Sequence, residues 1–550
     1  MHPPLSRLWS ATGPGCPPGR KRRAVWVDLL ADEILKARPE ARYVVNDAKS
    51  PSGRVHVGSL RGVILHDCLA RALRERGCAV EFLYGYDDYD PLDAVPAGLE
   101  TLAAHLGRPL CDVPSPDPAA APTFARYYAD EFTAAFTRLG ATPRVYWTSG
   151  LYRSGAFDAA IRTALDRARE IIDLDRAISG SRKAERHPVQ VICEACGRIG
   201  TTVVTAWDGR EVAYECRPDK VAWAVGCGHS GRRSPFGGGS KLQYVTEWAA
   251  KWVVLGVTVE AAGKDHMTRG GSYDRAAAIV QAIYGGRPPF SFGYEFFLVG
   301  GRKMRSSAGV GTPAAEFATL LRPDLARFAI VRPHYRQHVD FDPGGETIPA
   351  LYDEFDRAAA AYVGRLDDPD LARSFYYAQV DGAPPADAYR PRFLRVAHLC
   401  QMPGVDVVAA IAREKGGPLS EADRRELELR MADARRWLRT YAPEAHRFEV
   451  QPTLPPAARA LTDAQRRFLA ALIPVVEQAQ DGQALHAAIH ALKAQMGLAP
   501  KAAFGAIYLA FLGRDSGPQA GWFLAALDRA FVVQRLREAA GAVEAEQRHG

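Results

Sequence analysis

Two short stretches hold residues whose types and spacing suit nucleotide chemistry. The first, Pro51-Ser52-Gly53-Arg54-Val55-His56-Val57-Gly58-Ser59-Leu60, ends an extended run in a turn and opens a helix with an apolar stripe through Leu60, Ile64, Cys68 and Leu73. A helix N-terminus carries unpaired N–H groups and a partial positive charge, so it binds phosphate, and a histidine one turn away can donate to the same oxygens. Gly58 has no side chain, which lets a flat base approach the backbone. A plain helix cap with a surface histidine is the blander use of the same residues. The second stretch, from Gly300 to Gly309, follows an apolar run ending at Val299 and gathers Lys303, Arg305, Ser306 and Ser307 between glycines. A cationic loop of this kind can close over phosphates and stabilise charge that develops on a leaving group. A basic hairpin tip is the plainer alternative.

The cysteines form a third constellation. Cys193-x2-Cys196, Cys216 and Cys227-x-His229 supply soft ligands around a hairpin-like segment. Tetrahedral zinc takes four, and a closed set implies a structural rather than a catalytic ion, with His229 a substitute for one of the four thiolates. Uneven cysteine spacing of this kind fits a reducing compartment better than a disulfide framework.

Several elements must position these groups. At 550 residues, of which 47% are hydrophobic and 24% charged, the chain exceeds what one core of about 100–200 residues supports. No apolar run approaches the ~20 residues that span a bilayer. The net charge of +7 is mild, yet suits an anionic partner where arginines cluster. Residues 1–23 are basic, acid-free and rich in Pro and Gly, which fits an idle disordered tail better than an amphipathic transit helix. From Ala24 on, helix, strand, helix and strand alternate at the spacing of a doubly wound parallel sheet. The Cys-rich, β-prone segment beginning near His187 interrupts this alternation. Strands thin out after about residue 315, and the last third reads as helices, four periods of which start at Thr462.

The early His-x-Gly-Ser and the late Lys-Met-x-Ser-Ser around an α/β core resemble the two nucleotide signatures of class I aminoacyl-tRNA synthetases. The runs 51–62, 87–96, 192–202, 247–260, 263–274 and 293–297, together with 446–455 and 503–536, are similar in order and wording to class I lysyl-tRNA synthetases, over residues 25–542. The resemblance implies a cytoplasmic ligase that joins lysine to ATP as lysyl-adenylate and passes it to tRNA(Lys), with Mg2+ accompanying ATP, structural Zn2+, and neither DNA nor membrane as partner. It also implies a Rossmann-like catalytic domain over 24–310 with a zinc-binding insertion at 187–240. A connecting helical region at 311–380 and an all-α anticodon-binding cage at 381–550 follow. On this reading His56, Gly58, Ser59, Gly263, Asp265, His266 and Lys303 hold ATP, while Arg305, Ser306 and Ser307 join His56 and Lys303 in catalysis. Ser50, Asp87, Asp90, Glu247, Trp248 and Tyr294 hold lysine, the acids meeting its ammonium and the aromatics its methylene chain. Cys193, Cys196, Cys216, Cys227 and His229 supply the metal ligands.

The sequence departs from the family pattern at its most chemical positions. Ala48-Lys49-Ser50 stands where Gly-Ile-Thr is usual, Ser59 where Asn is common, and Arg305 and Ala308 where the loop commonly has Ser and Lys. Two readings follow: a lysyl-tRNA synthetase whose Lys303 and Arg305 compensate for the missing loop lysine, or a synthetase-like paralogue that binds tRNA with altered amino-acid specificity or weak activation. Retention of His56, Gly58, Lys303 and the full cysteine set favours the first.

Overall fold

A computed structural model describes residues 25–180, 187–299, 312–380, 388–402 and 405–541. The tail 1–23 and the loop residues Lys303, Arg305, Ser306 and Ser307 lie outside the described residues. Two compact units divide the chain: residues up to Phe341 with Arg357–Pro384, and Asp342–Asp356 with Pro385 onward.

In the first unit α1 (Trp26–Ala37), β1 (Arg42–Lys49), α2 (Val57–Glu75), β2 (Ala79–Tyr86), α3 (Phe124–Arg138) and β3 (Arg144–Trp147) alternate. The strands are parallel in the order β1-β2-β3, with Arg42 opposite Ala79 and Leu83 opposite Arg144. Helices α4 (Thr148–Arg153), α5 (Asp158–Asp166) and α6 (Ala168–Ser179) then lead away. The pattern of 155–173 reads as one helix, but Arg167 breaks it at φ −114° and ψ 26°. Its guanidinium donates instead to the carbonyls of Ala282 and Ile283, at 2.9 and 3.1 Å.

An antiparallel segment interrupts the alternation. β4 (Val189–Val191) pairs with β8 (Ser240–Leu242), and β5 (Thr202–Trp207), β6 (Val212–Cys216) and β7 (Ser230–Arg233) form a separate sheet. The chain returns through α7 (Tyr244–Val254) to the free edge of β1, where Val259 bridges Val45 in parallel and Phe290 bridges Val259. β9 (Ala262–Gly263), α8 (Ser272–Ala282) and β10 (Gly293–Tyr294) continue that side, β10 pairing with β9. Strand order therefore reverses between β1 and the Val259 segment, and ligands of open α/β sheets bind outside the carboxyl ends at such a reversal. β11 (Phe297–Val299), α9 (Ala314–Leu320), α10 (Pro323–Val331) and β12 (Val339–Phe341) follow.

Helix α2 is enclosed rather than amphipathic. Val57, Leu60, Val63, Ile64, Leu65, Cys68, Leu69 and Leu73 are all fully buried, a stripe far wider than one face. Each such side chain contributes about 1.5–3 kcal/mol by leaving water. Asp67 on this helix is also buried, and Arg327 of α10 neutralises it together with Arg71, whose Nε lies 2.8 Å away. Arg327 also donates to the carbonyls of Tyr377, at 2.6 Å, and Leu139, at 3.0 Å.

The second unit is helical among its described residues, and no described helix is long and apolar enough to cross a membrane. Arg430 is fully buried there, held by Glu426 and Asp356 and by the Pro391 carbonyl. The helices Asp463–Gln478, Gly482–Gln495 and Pro500–Leu512 follow the sequence pattern. The last period does not, because extended Leu527, at ψ 161°, splits it into Ala520–Ala526 and Arg529–Gly541.

Arg327→Ala removes one of the two cations on buried Asp67, leaving Arg71, and orphans two carbonyls, so it should cost about 1–3 kcal/mol. Urea unfolding followed by circular dichroism reads this as a lower midpoint for the first unit.

Candidate active site

The carboxyl ends of β1, the Val259 segment and β10 open into a cavity of about 290 Å3. β1 contributes Asp47, Ala48 and Lys49, and the start of α2 contributes His56, Gly58 and Ser59. Glu260, Gly263, Asp265 and His266 line the facing wall, Tyr294 comes from β10, and Trp248 and Lys251 from α7.

The entry to α2 has an open N-terminus. His56 is its N-cap in extended conformation, no side chain caps the helix, and its first turn contains no acid. The first N–H groups and their positive potential therefore remain available to an anion. A Cβ on Gly58 would lie 2.9 Å from His56 Nδ1, so only glycine leaves the imidazole in place. That Nδ1 is buried and has no partner among the described residues. Burial, helped by the charge of Lys49, pushes the imidazole down to about 4, so it is neutral under ordinary conditions. Lys49 is itself held below the usual lysine range by burial, and Asp47, Asp265 and Asp87 oppose that shift.

A chain of charges lies against the cavity. Glu247 is shared by Lys241 and Lys251, whose nitrogens also reach Asp90, at 3.0 Å, and Asp87. Tyr152 donates its hydroxyl to the same Glu247 at 2.6 Å. Burial would raise the Glu247 carboxyl, but the two lysines outweigh it and hold it at about 2. Ser50 donates to Asp90, and Asp88 accepts from Ser149 N–H at 2.8 Å and from the Ser149 hydroxyl at 2.5 Å. The residues expected to hold lysine thus divide: Asp87, Trp248 and Tyr294 line the cavity, whereas Ser50, Asp90 and Glu247 are not on its wall. All six expected ATP contacts within the described residues, His56, Gly58, Ser59, Gly263, Asp265 and His266, line it.

Aromatic rings form one side. Tyr244 stacks on Trp248 with centroids 5.9 Å apart, and Trp248 meets His266 edge-on at 6.1 Å. Such a surface suits an aliphatic chain that ends in a cation.

Sequence reasoning missed Asp47, Tyr244, Lys251 and Glu260. Burial pushes both Asp47 and Glu260 up to about 7. The period of two that places Asp47 and Lys49 on one face at the end of a buried strand was the available signal. Lys251, four residues after Glu247 on a helix, was equally readable.

In the antiparallel segment the sulfurs of Cys193, Cys196, Cys216 and Cys227 all lie within 4.8 Å of one another. Cys193 and Cys227 sulfurs are 3.6 Å apart, and those of Cys196 and Cys216 are 3.7 Å apart. His229 is not in this group. Four converging thiols are a complete tetrahedral donor set for zinc.

The depressed His56 gives a pH test. Between pH 6.5 and about 4 the unfolded chain takes up a proton that the folded imidazole refuses, so this contribution to stability is lost as pH falls through that window. His56→Asn should flatten the acid limb of a plot of melting temperature against pH relative to the parent protein.

Comparison with known proteins agrees with this architecture. A family model described as tRNA synthetases class I (K) matches residues 24–380, and an anticodon binding domain model matches residues 436–540. A lysine–tRNA ligase of Methanosarcina barkeri is 32% identical over 539 residues, covering 94% of this chain and 97% of that protein. Its counterpart in Thermoplasma acidophilum is 33% identical over 523 residues, covering 93% and 98%. That of Archaeoglobus fulgidus is 30% identical over 519 residues, covering 94% and 99%. With one model covering the cavity and its surrounding sheet, and relatives aligned along nearly their whole length, this chain belongs to the class I (K) tRNA synthetases.

Proposed function

We propose that the enzyme activates lysine with ATP and transfers it to tRNA(Lys). A lysine carboxylate oxygen attacks the α-phosphorus of ATP, pyrophosphate leaves, and lysyl-adenylate forms. A hydroxyl of the terminal ribose of the tRNA then attacks the lysyl carbonyl carbon, and AMP leaves. The observation that carries this reading is the cavity itself, where an uncapped helix N-terminus with a buried His56 Nδ1, unpartnered among the described residues, faces an aromatic and acidic wall.

The roles follow from position. The α2 N-terminus and the neutral His56 imidazole meet phosphate oxygens, and Gly58 leaves room for the nucleotide. Gly263, Asp265 and His266 meet the ribose and the aminoacyl group. Trp248 packs on the lysine methylenes. Lys303 and Arg305, with Ser306 and Ser307, close on the departing pyrophosphate, and Mg2+ bound with ATP shares the neutralisation of its charge. Cys193, Cys196, Cys216 and Cys227 would hold one Zn2+ that ties the turn after β4 to the end of β6. The catalytic region is 24–310 with its insertion at 187–240, the region 311–380 connects it to the rest, and the helices of 381–550 hold the anticodon, where Lys501, Arg514 and Trp522 offer charge and a stacking surface.

Purified protein should charge tRNA(Lys) with lysine and not with arginine or ornithine, and its lysine-dependent ATP turnover should require the tRNA. Lys303→Ala should slow adenylate formation about 100-fold to 1000-fold, the usual loss for one preorganised contact to developing charge, with tRNA affinity unchanged. Charging at the parental rate by Lys303→Ala would remove the loop from the reaction.

Metal analysis should find one zinc per chain, and Cys193→Ser should lose it. The variant's 187–240 segment should become the first site of limited proteolysis. Zinc-free protein with an intact segment would contradict the assignment.

A further inference from the structure

The cavity contains a carboxylate that the charge network does not neutralise. Among the acids on its wall, Asp87 is taken by Lys251, and Glu295 by Lys264 at 2.7 Å. Glu260 accepts from Asn46 Nδ2 at 2.9 Å and from Trp252 Nε1 at 2.5 Å, so both its oxygens are occupied. Asp265 is exposed at the mouth. Asp47 differs from all of these. Its Oδ1 accepts the Ala48 N–H at 2.9 Å, while its Oδ2 accepts nothing within hydrogen-bond distance among the described residues, and the side chain is only 15% exposed.

No cation forms an ion pair with Asp47 within 4 Å among the described residues: Lys49 acts on it only through the longer-range field of its charge, and the nearest base to Oδ2 cannot pair with it. His66 Nδ1 lies 3.7 Å away, but this nitrogen is 2.7 Å from the Gly62 carbonyl, and its Nε2 accepts the Ala261 N–H at 2.9 Å. Those two bonds fix the neutral tautomer with the proton on Nδ1.

Gly62 supplies an independent sign that the position of Asp47 is built. Glycine in the interior of a helix costs about 0.5–1 kcal/mol relative to alanine. At residue 62 a Cβ would lie 2.5 Å from the Tyr294 hydroxyl oxygen and 3.0 Å from Asp47 Oδ2. The missing side chain thus leaves room that a phenol and a carboxylate oxygen both border. Depth places this pair as well, because Asp47 precedes Lys49 by two residues, roughly 6–7 Å further from the edge where His56 and the helix N-terminus meet phosphate.

We propose that Asp47, with the Tyr294 hydroxyl beside it, receives the side-chain ammonium of the amino-acid substrate and sets the enzyme's preference for a long-chain cation. The proposal rests on the lysine-activating reading above. The carboxyl end of the substrate lies at the α2 N-terminus, the methylenes cross Trp248, and the ammonium reaches the free Oδ2. A charge-assisted hydrogen bond of this kind separates lysine from its uncharged analogue about 10-fold to 100-fold.

The test compares lysine with norleucine, which keeps the chain and the α-amino group but lacks the ammonium. KM for lysine and the inhibition constant of norleucine are measured in tRNA charging, with KM for ATP alongside. In the parent protein lysine should be strongly preferred. In Asp47→Asn the ratio should collapse about 10-fold to 100-fold, through KM for lysine alone, with norleucine and ATP unchanged. Equal weakening of lysine and norleucine would place Asp47 at the α-amino end and overturn the proposal, as would a rise confined to KM for ATP or an unchanged ratio. Asp47→Ser, smaller than the residue it replaces, carries the same measurement if the amide variant does not fold. A parent protein that charges no lysine would overturn the reading of the reaction itself, a result separate from all of these.

Discussion

The Glu247 carboxylate, held between Lys241 and Lys251 and hydrogen-bonded by Tyr152, is the constraint around which the catalytic unit is arranged. Buried charge is tolerated only when each ion has a partner and its remaining hydrogen-bonding capacity is used. Here the requirement propagates from residue to residue. Lys241 draws in Asp90, which takes the Ser50 hydroxyl, and Lys251 draws in Asp87 at the end of β2. Strand ends, the last strand of the antiparallel segment and helix α7 are thereby linked through one set of ions. Because that set satisfies itself, it fixes the geometry beside the cavity without supplying free charge to it.

The sheet reversal complements this network. β1 is flanked by β2 on one side and the Val259 segment on the other, so the two chain crossings leave in opposite directions and a cleft opens between them. Helix α2 enters that cleft with a bare N-terminus, and its burial on nearly every face holds it there. Positive potential suited to an anion therefore arises there without an additional side chain, since the orphaned N–H groups of a well-packed helix provide it.

Local structure around the site was legible in the sequence to the extent that it depends on local periodicity. The turn at Ser52-Gly53, the helix after His56 and the strand before Asp87 can all be read from neighbouring residues. What could not be read is the pairing of Val45 with Val259, because nothing in either segment encodes a partner so far along the chain. The acids show the same limit. An aspartate or glutamate at a strand end reads as a candidate ammonium ligand, but whether it is free depends on lysines brought in by tertiary structure. Glu247 and Asp90 are ion-paired with such lysines, whereas Asp47 forms no such pair among the described residues. The breaks at Arg167 and Leu527 escaped for another reason: both residues are ordinary helix formers, and tertiary contacts or the next helix's start override that preference.

The contact of Gly62 with both Tyr294 and Asp47 has a consequence for how this enzyme can change. Residues from α2, β1 and β10 border one small volume, so the size of any one is limited by the other two. A larger side chain at 62 can be accommodated only if the residue at 47 shrinks or the ring at 294 swings away. Growth at position 62 is therefore tied to a change at 47 or 294, whereas shrinking either of those two side chains meets no such limit.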